Sequence, residues 1–166
     1  MFNKVVVIGP PGAGKSTFSR ALRDKTGLPI YYLDMLAFNP DSTDVPKEEF
    51  KKKLEEIIQK EKWIIDGNYY KTLELRIKAC DIIFLLDFPI DLCLASAEAR
   101  IGKDREDLPW AANEFDEEFR QFIIDFPTEY MPRINDLLEK YKNIKKIVTF
   151  KSRKESDDFL IKLSID

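Results

Sequence analysis

Lys4-Val5-Val6-Val7-Ile8-Gly9-Pro10-Pro11-Gly12-Ala13-Gly14-Lys15-Ser16-Thr17 is the stretch on which the fold turns. A β-branched apolar run stops abruptly in a loop rich in glycine and proline, the pattern of a buried strand ended by a tight turn. Residues 9 to 16 then match Gly-x-x-x-x-Gly-Lys-Ser/Thr without a gap, between a predicted strand and a predicted helix over Lys15 to Arg23 that closes near Gly27. A chance match in a chain this long is ~0.5% at ordinary residue frequencies, before the strand and helix are required. Glycines let consecutive backbone N-H groups converge on an anion, and the following helix turns its positive end toward the same charge. Gly9, Pro10, Pro11, Gly12, Ala13, Gly14, Lys15, Ser16 and Thr17 are therefore candidate nucleotide-binding residues. Lys15 bridges the outer phosphates in this reading, Ser16 offers a hydroxyl to Mg²⁺, and Thr17 reaches an inner phosphate oxygen.

The rest of the composition narrows the chemistry. The 166 residues are 44% hydrophobic, 34% charged and 12% aromatic, which suits one soluble globular domain spanning 1-166. With no histidine, Ser/His/Asp and Cys/His nucleophiles and every His-containing metal site are excluded. The 27 basic and 30 acidic residues leave a net charge of -3, so no duplex-DNA footprint is expected. Lys51-Lys52-Lys53 is the one basic run, and Glu48, Glu49, Glu55 and Glu56 flank it. Cys80 and Cys93 are too few and too far apart for a disulfide framework, which suits a reducing cytoplasm. No run approaches the roughly 18 apolar residues of a membrane span, and Val5 to Ile8 is too short for a signal peptide.

Further strands are expected at Ile30-Leu33, Trp63-Ile65, Ile82-Leu86 and Ile144-Phe150. Trp63-Ile65 and Ile82-Leu86 are short apolar runs without alternation, as strands covered on both faces should be. Helical spacing marks Phe50, Leu54, Ile57 and Ile58, then Ile90 to Arg100, then Phe115, Phe119, Phe122 and Ile123, then Ile134, Leu137, Leu138 and Tyr141. Ser152 and Glu155 form a capping box before a last helix with Phe159, Leu160 and Leu163. Strands alternating with helices imply a parallel sheet in a three-layer α/β/α fold. Asp34, Asp66 and Asp87 all end strands. Asp66 faces the same rim as the phosphate loop and is the candidate to hold Mg²⁺ through water; Asp34 is the candidate for the acceptor.

The pattern resembles the adenylate-kinase-like branch of the P-loop fold, and within it the bacterial family labelled DNA topology modulation proteins. The residues that carry this are Gly9 to Thr17, Leu28-Pro29-Ile30-Tyr31-Tyr32-Leu33-Asp34, Trp63-Ile64-Ile65-Asp66-Gly67-Asn68-Tyr69 with Arg76, and Asp81 to Pro89. The resemblance implies a five-stranded sheet of order 2-3-1-4-5 and ATP on the phosphate loop. It implies an acceptor-side insertion over about 34-62, with the acceptor between Asp34 and Arg76, and a short arginine-bearing lid over about 100-112. It also puts Arg153 over the adenine. Adenylate kinases follow the third strand with Asp-Gly-Phe-Pro-Arg; here Asp66-Gly67 leads to Asn68-Tyr69-Tyr70, and Arg76 is the candidate replacement for the missing phosphate clamp. Phosphoryl transfer needs positive charge on the departing group, which singles out Arg100 and Arg105, with Lys103 a weaker candidate. Tyr31, Tyr32, Phe38, Trp63, Tyr69 and Tyr70 fall on the acceptor side, most of them expected in the core.

The expected activity is an ATP- and Mg²⁺-dependent kinase acting on a nucleoside, nucleotide or other small acceptor. Catalysis would rest with Lys15, Arg100, Arg105 and Asp34, and acceptor binding with Asp34, Tyr69 and Arg76. The alternative is a nucleotide-sensing regulator acting through a protein or DNA partner. A motor ATPase is disfavoured by the short chain.

Overall fold

Strand alternation is what gives the molecule its two-sided core. In the computed structural model, which describes residues 1–163, β1 (Lys4–Ile8) lies at the centre of the sheet and Val5 to Ile8 are wholly buried. Successive side chains of a strand point to opposite faces. Val5 and Val7 accordingly pack on one side with α1 (Lys15–Thr26), α5 (Ile90–Ala99) and α8 (Arg153–Lys162), through Phe18, Leu22, Cys93, Ala97 and Leu160. Val6 and Ile8 pack on the other with α3 (Lys47–Ile58), α4 (Tyr70–Ala79) and α7 (Met131–Tyr141), through Leu54, Ile57, Leu73, Ile77, Ile134 and Leu138. Leu54 and Leu73 are fully enclosed, and truncating either to alanine would cost about 2–5 kcal/mol.

The other strands are β2 (Ile30–Tyr32), β3 (Trp63–Asp66), β4 (Ile82–Leu86) and β5 (Lys146–Phe150). All pairings are parallel and the order is β2-β3-β1-β4-β5, as expected. In register, Val7 lies opposite both Asp66 and Phe84, and Tyr32 also lies opposite Asp66. Asp66 thus ends its strand beside the start of the loop that follows β1.

Several boundaries differ from expectation for local reasons. α1 continues past Arg23 to Thr26, because the left-handed Gly27 closes it by donating its N-H to the Arg23 carbonyl at 2.7 Å. β2 stops at Tyr32, and Leu33 opens a short helix, α2 (Leu33–Ala37), which places Asp34 in its first turn. β5 starts at Lys146, since Ile144 is exposed. Phe115 precedes α6 (Glu117–Asp125) and meets Phe119 edge-on. Between α6 and α7 runs one wide π turn, Phe126–Tyr130, with Pro127 in it and Pro132 just beyond. Ser152 caps α8 as expected, accepting from the Glu155 N-H at 3.3 Å. Of the expected span 1-166, residues 164–166 lie outside the described ones.

Candidate functional site

The loop Gly9 to Gly14 joins β1 to α1 and opens onto a cleft of about 980 Å³ at the C-terminal ends of the strands, where ligands of such sheets bind. Two glycines are required by geometry. Gly12 has φ 82°, and a Cβ there would overlap the Cys93 carbonyl of α5; Gly14, at φ 89°, turns the chain into α1. The start of the loop is held from the side by Asn68, whose amide donates to the Gly9 carbonyl at 2.7 Å and accepts from the Gly9 N-H at 3.1 Å. Asn68 replaces the Phe of the adenylate-kinase pattern. Its reciprocal amide pairing spans two loops that no spacing rule connects.

Lys15 lies in the cleft and donates from Nζ to the Pro10 carbonyl at 3.2 Å. Burial lowers its pKa, while Asp66 and Asp34 pull it back up. Asp66 is only 5% exposed, accepts from the Ser19 hydroxyl at 3.4 Å, and has its pKa pushed up to about 6, mainly by burial and partly relieved by Lys15. The Ser16 hydroxyl donates to Asp107 at 2.9 Å. Asp107, at 7% exposure, is paired with Arg105 at 2.6 Å. Burial alone would raise the Asp107 pKa, but Arg105 and Ser16 outweigh it and hold the carboxyl below its usual range. The adjacent Glu106 accepts from Tyr32 OH at 2.7 Å and from Arg23 at 3.1 Å. Two acidic residues, Glu106 and Asp107, thus tie the segment expected as a lid to α1, through Ser16 and Arg23, and to Tyr32 at the end of β2, where charge patterning suggested a solvated loop. Thr17 is exposed and accepts from Arg20 at 3.3 Å, away from the cleft lining.

Arg100, at the C-terminal end of α5, lines the cleft, and its buried Nε meets no hydrogen-bond partner. Burial and the neighbouring Arg105 both lower its pKa. A buried Nε-H that meets no partner is costly by itself. Arg105 also lines the cleft, although Asp107 occupies it.

Also in the cleft lining, Tyr69 OH donates to Asp34 at 2.6 Å. Burial raises the Tyr69 pKa, with the Asp34 charge next. Tyr69 sits at φ 38°, unusual for a residue with a Cβ, and Arg76 secures it. The Arg76 guanidinium donates to the carbonyls of Gly67 at 2.8 Å, Asn68, and Tyr69 at 3.2 Å. At 0% exposure it does not line the cleft, and burial lowers its pKa to about 9. This corrects the expectation of a phosphate clamp: α4 turns Arg76 inward, under the loop, and the side chain positions Tyr69 and through it Asp34. Arg153 is also displaced from its expected place, being exposed on α8 with its guanidinium on the Ser96 hydroxyl at 2.6 Å, outside the cleft lining. Asp87 is paired with Lys151.

Of the aromatics, Trp63 is buried in the core and Tyr31 packs against it, whereas Tyr32, Phe38, Tyr69 and Tyr70 line the cleft. Trp110 of the lid meets Phe38 edge-on at 5.1 Å and closes the cleft from above. Phe119, Tyr130 and Arg133 complete the far end. Trp110 and Arg133 carried no sequence signal, since their place depends on how the lid and α7 come back over the sheet. Among the described residues no three Cys, Asp or Glu side chains gather as a metal cage, and no helix is long and apolar enough to cross a membrane.

A parallel sheet of this order with Gly-x-x-x-x-Gly-Lys-Ser at its first turn defines the P-loop kinase fold. Solved structures agree. Shikimate kinase from Acinetobacter baumannii in complex with shikimate superposes with a TM-score of 0.63 at 16% identity over 96% of this chain and 92% of that one. Shikimate kinase from Bacteroides thetaiotaomicron gives 0.59 at 18% identity over 97% and 96%. In sequence, 89 residues are 32% identical to adenylate kinase of Thermotoga neapolitana and 30% identical to that of Thermotoga maritima. That match takes in 52% of this chain, and the chain spans 40% of the length of the curated relatives it matches. No family model matches the chain.

Proposed function

We propose that the protein is an ATP- and Mg²⁺-dependent kinase that transfers the γ-phosphoryl group to a small acceptor such as a nucleoside or nucleotide. The observation that carries this reading is the cleft whose lining brings together Lys15, Ser16 and Asp34, with the charge of Asp34 felt by Lys15 and an unpartnered Arg100 Nε beside them. Backbone N-H groups of Gly12, Gly14 and Lys15, together with the Lys15 ammonium, cradle the phosphates. Ser16 and, through water, Asp66 fit a hard cation, since a buried carboxyl whose pKa burial raises to about 6 gains most from a positive neighbour. When bound, Mg²⁺ would neutralise the phosphate charge. Arg100 and Arg105 stabilise the charge of the group in transit, and Asp34, oriented by Tyr69, takes the acceptor. Arg153 would reach adenine only by leaving Ser96.

The protein works as a cytoplasmic domain of one unit in this reading, with the insertion 34-62 and the lid on either side of the acceptor, and its affinity with the topology modulation family is part of the proposal. A regulator acting through DNA is not favoured: in the basic run Lys53 pairs with Glu49 at 3.1 Å and Lys51 with Glu55 at 3.9 Å, as on a solvated helix face. The test is Lys15→Ala, which should abolish ATP-dependent transfer and leave the fold intact by circular dichroism. Retained turnover in that variant would overturn the assignment.

A further inference from the structure

We propose that the segment over 100-112 is a latch that competes with the nucleotide: Asp107 acts as a surrogate anion for the phosphate-binding groups, and ATP binds only as that carboxylate lets go. This rests on the kinase reading above and concerns the regulation of the same site. Lys15, Ser16 and Arg105, assigned there to the phosphates and their cation, each already have a partner within the chain. Lys15 Nζ donates to the Pro10 carbonyl at 3.2 Å, and Ser16 Oγ to Asp107 Oδ2 at 2.9 Å. Arg105 donates to both oxygens of Asp107, from Nε at 3.0 Å and from Nη2 at 2.6 Å. Ser16 stands in the first turn of α1, the end of a helix at which an anion is favoured, and the buried Asp107 puts a carboxylate there from the cleft lining. A triphosphate brought to the same place meets that negative charge. Nor can Arg105 turn the same edge to a phosphate while it grips Asp107 at two points.

The latch has two ties of unequal strength. The Gly102 N-H donates to the Ala112 carbonyl at 2.8 Å, which closes the segment into a loop with residues 105 to 107 carried together at its tip. The inner tie is the Arg105–Asp107 pair with Ser16, whose charged side chains are only 18% and 11% exposed, so water screens the pair little. The outer tie is Glu106, which accepts from Tyr32 OH at 2.7 Å and from Arg23 at 3.1 Å. Arg23 and Glu106 are 37% and 48% exposed, and a pair so wet is worth little by itself. Glu106 and Arg23 do not line the cleft, so both reach a nucleotide only through the loop and its neighbours. A latch closed in about nine molecules of ten raises the observed nucleotide Kd about tenfold, because only the open fraction binds.

The test uses the whole chain with Mg²⁺ and ATP. Binding is followed by calorimetry, association by stopped-flow tryptophan emission, and the latch itself by acrylamide quenching with no nucleotide added. Of the two tryptophans, Trp63 is wholly buried in the core, so a change in quenching reports Trp110, which the same loop holds edge-on to Phe38. Asp107→Asn should open Trp110 to the quencher and lower the ATP Kd about tenfold, mostly through faster association. Glu106→Gln and Arg23→Gln should each do the same by about threefold. Combining Glu106→Gln with Asp107→Asn should add little, since both act on one loop.

Weaker ATP binding by Asp107→Asn would make Asp107 part of the cation's own shell and overturn the latch. An unchanged Kd, or quenching that none of these variants alters, would overturn it as well. Each of those results leaves the nucleotide site standing. Should Asp107→Asn not fold, the surface variant Glu106→Gln decides the question, and no tightening there overturns the latch. Absence of ATP binding in the parent and in every variant would overturn the kinase reading itself.

Discussion

Replacing Asp66 by asparagine is expected to stabilise the ligand-free protein, even though Asp66 is a candidate functional residue. The carboxyl is 5% exposed, and burial, only partly offset by Lys15, raises its pKa from the ordinary 3.8 to about 6. A carboxyl whose folded pKa lies above its unfolded value stabilises the fold least when ionised. The cost is absent below pH 4, grows between about pH 4 and 6, and is complete above that. At roughly 1.4 kcal/mol per pH unit it amounts to about 3 kcal/mol at pH 7.5 and under about 1 kcal/mol at pH 4. Asparagine keeps the shape and can still accept from Ser19. Urea unfolding of both proteins at pH 7.5 and pH 4, without nucleotide or divalent cation, should therefore show a gain of up to about 3 kcal/mol at the higher pH that nearly disappears at the lower. Added Mg·ATP should stabilise the parent and help the variant less. A variant no more stable than the parent at pH 7.5, or one with the same gain at both pH values, would refute the reasoning.

Asp107→Asn removes the negative charge that holds Ser16 and Arg105, and ATP should then bind about tenfold tighter, as calorimetry would report, because the nucleotide no longer displaces a carboxylate. Arg76→Met leaves three loop carbonyls without their donor, and a loss of about 3–5 kcal/mol in urea unfolding is expected, with Tyr69 freed from its left-handed conformation. Gly12→Ala drives a methyl into the Cys93 carbonyl and should abolish nucleotide binding, measured by calorimetry, before it abolishes folding. Asn68→Ala removes both amide bonds to Gly9 and should weaken ATP binding by a fewfold, about 1 kcal/mol, through the loop alone.

The phosphate loop was legible because glycine is itself the signal: the left-handed turns at Gly12 and Gly14 admit little else. The strands were legible because burial on both faces leaves uninterrupted apolar runs such as Ile82 to Leu86. Asp66 could be placed from the end of its strand alone. Arg76 could not, since Glu74 two residues before it is partly exposed and only the packing of α4 under the loop turns the guanidinium inward. Nor could the lid. Ser16 and Asp107 are 91 residues apart, and nothing local in Arg105-Glu106-Asp107 distinguishes a latch from a solvated loop. α2 was missed because five residues are too short for helical periodicity, although that one turn aims Asp34.

The tight fit of Gly12 against the Cys93 carbonyl has a mechanical consequence. α5 buttresses the phosphate cradle in its first turn and carries the lid at its other end, so the cradle, the helix and Arg100 behave as a single rigid lever arm. Swinging that arm would tear open the cradle, so any opening of the cleft on this side has to come from outboard of Arg100. Gly102, at φ 75° with open space around it, is the first joint beyond the arm. Any opening of the segment beyond Gly102 would leave Arg100 in place while Arg105, Asp107 and Trp110 moved, so the candidate residues on the arm and those on the gate would be separable in a single motion.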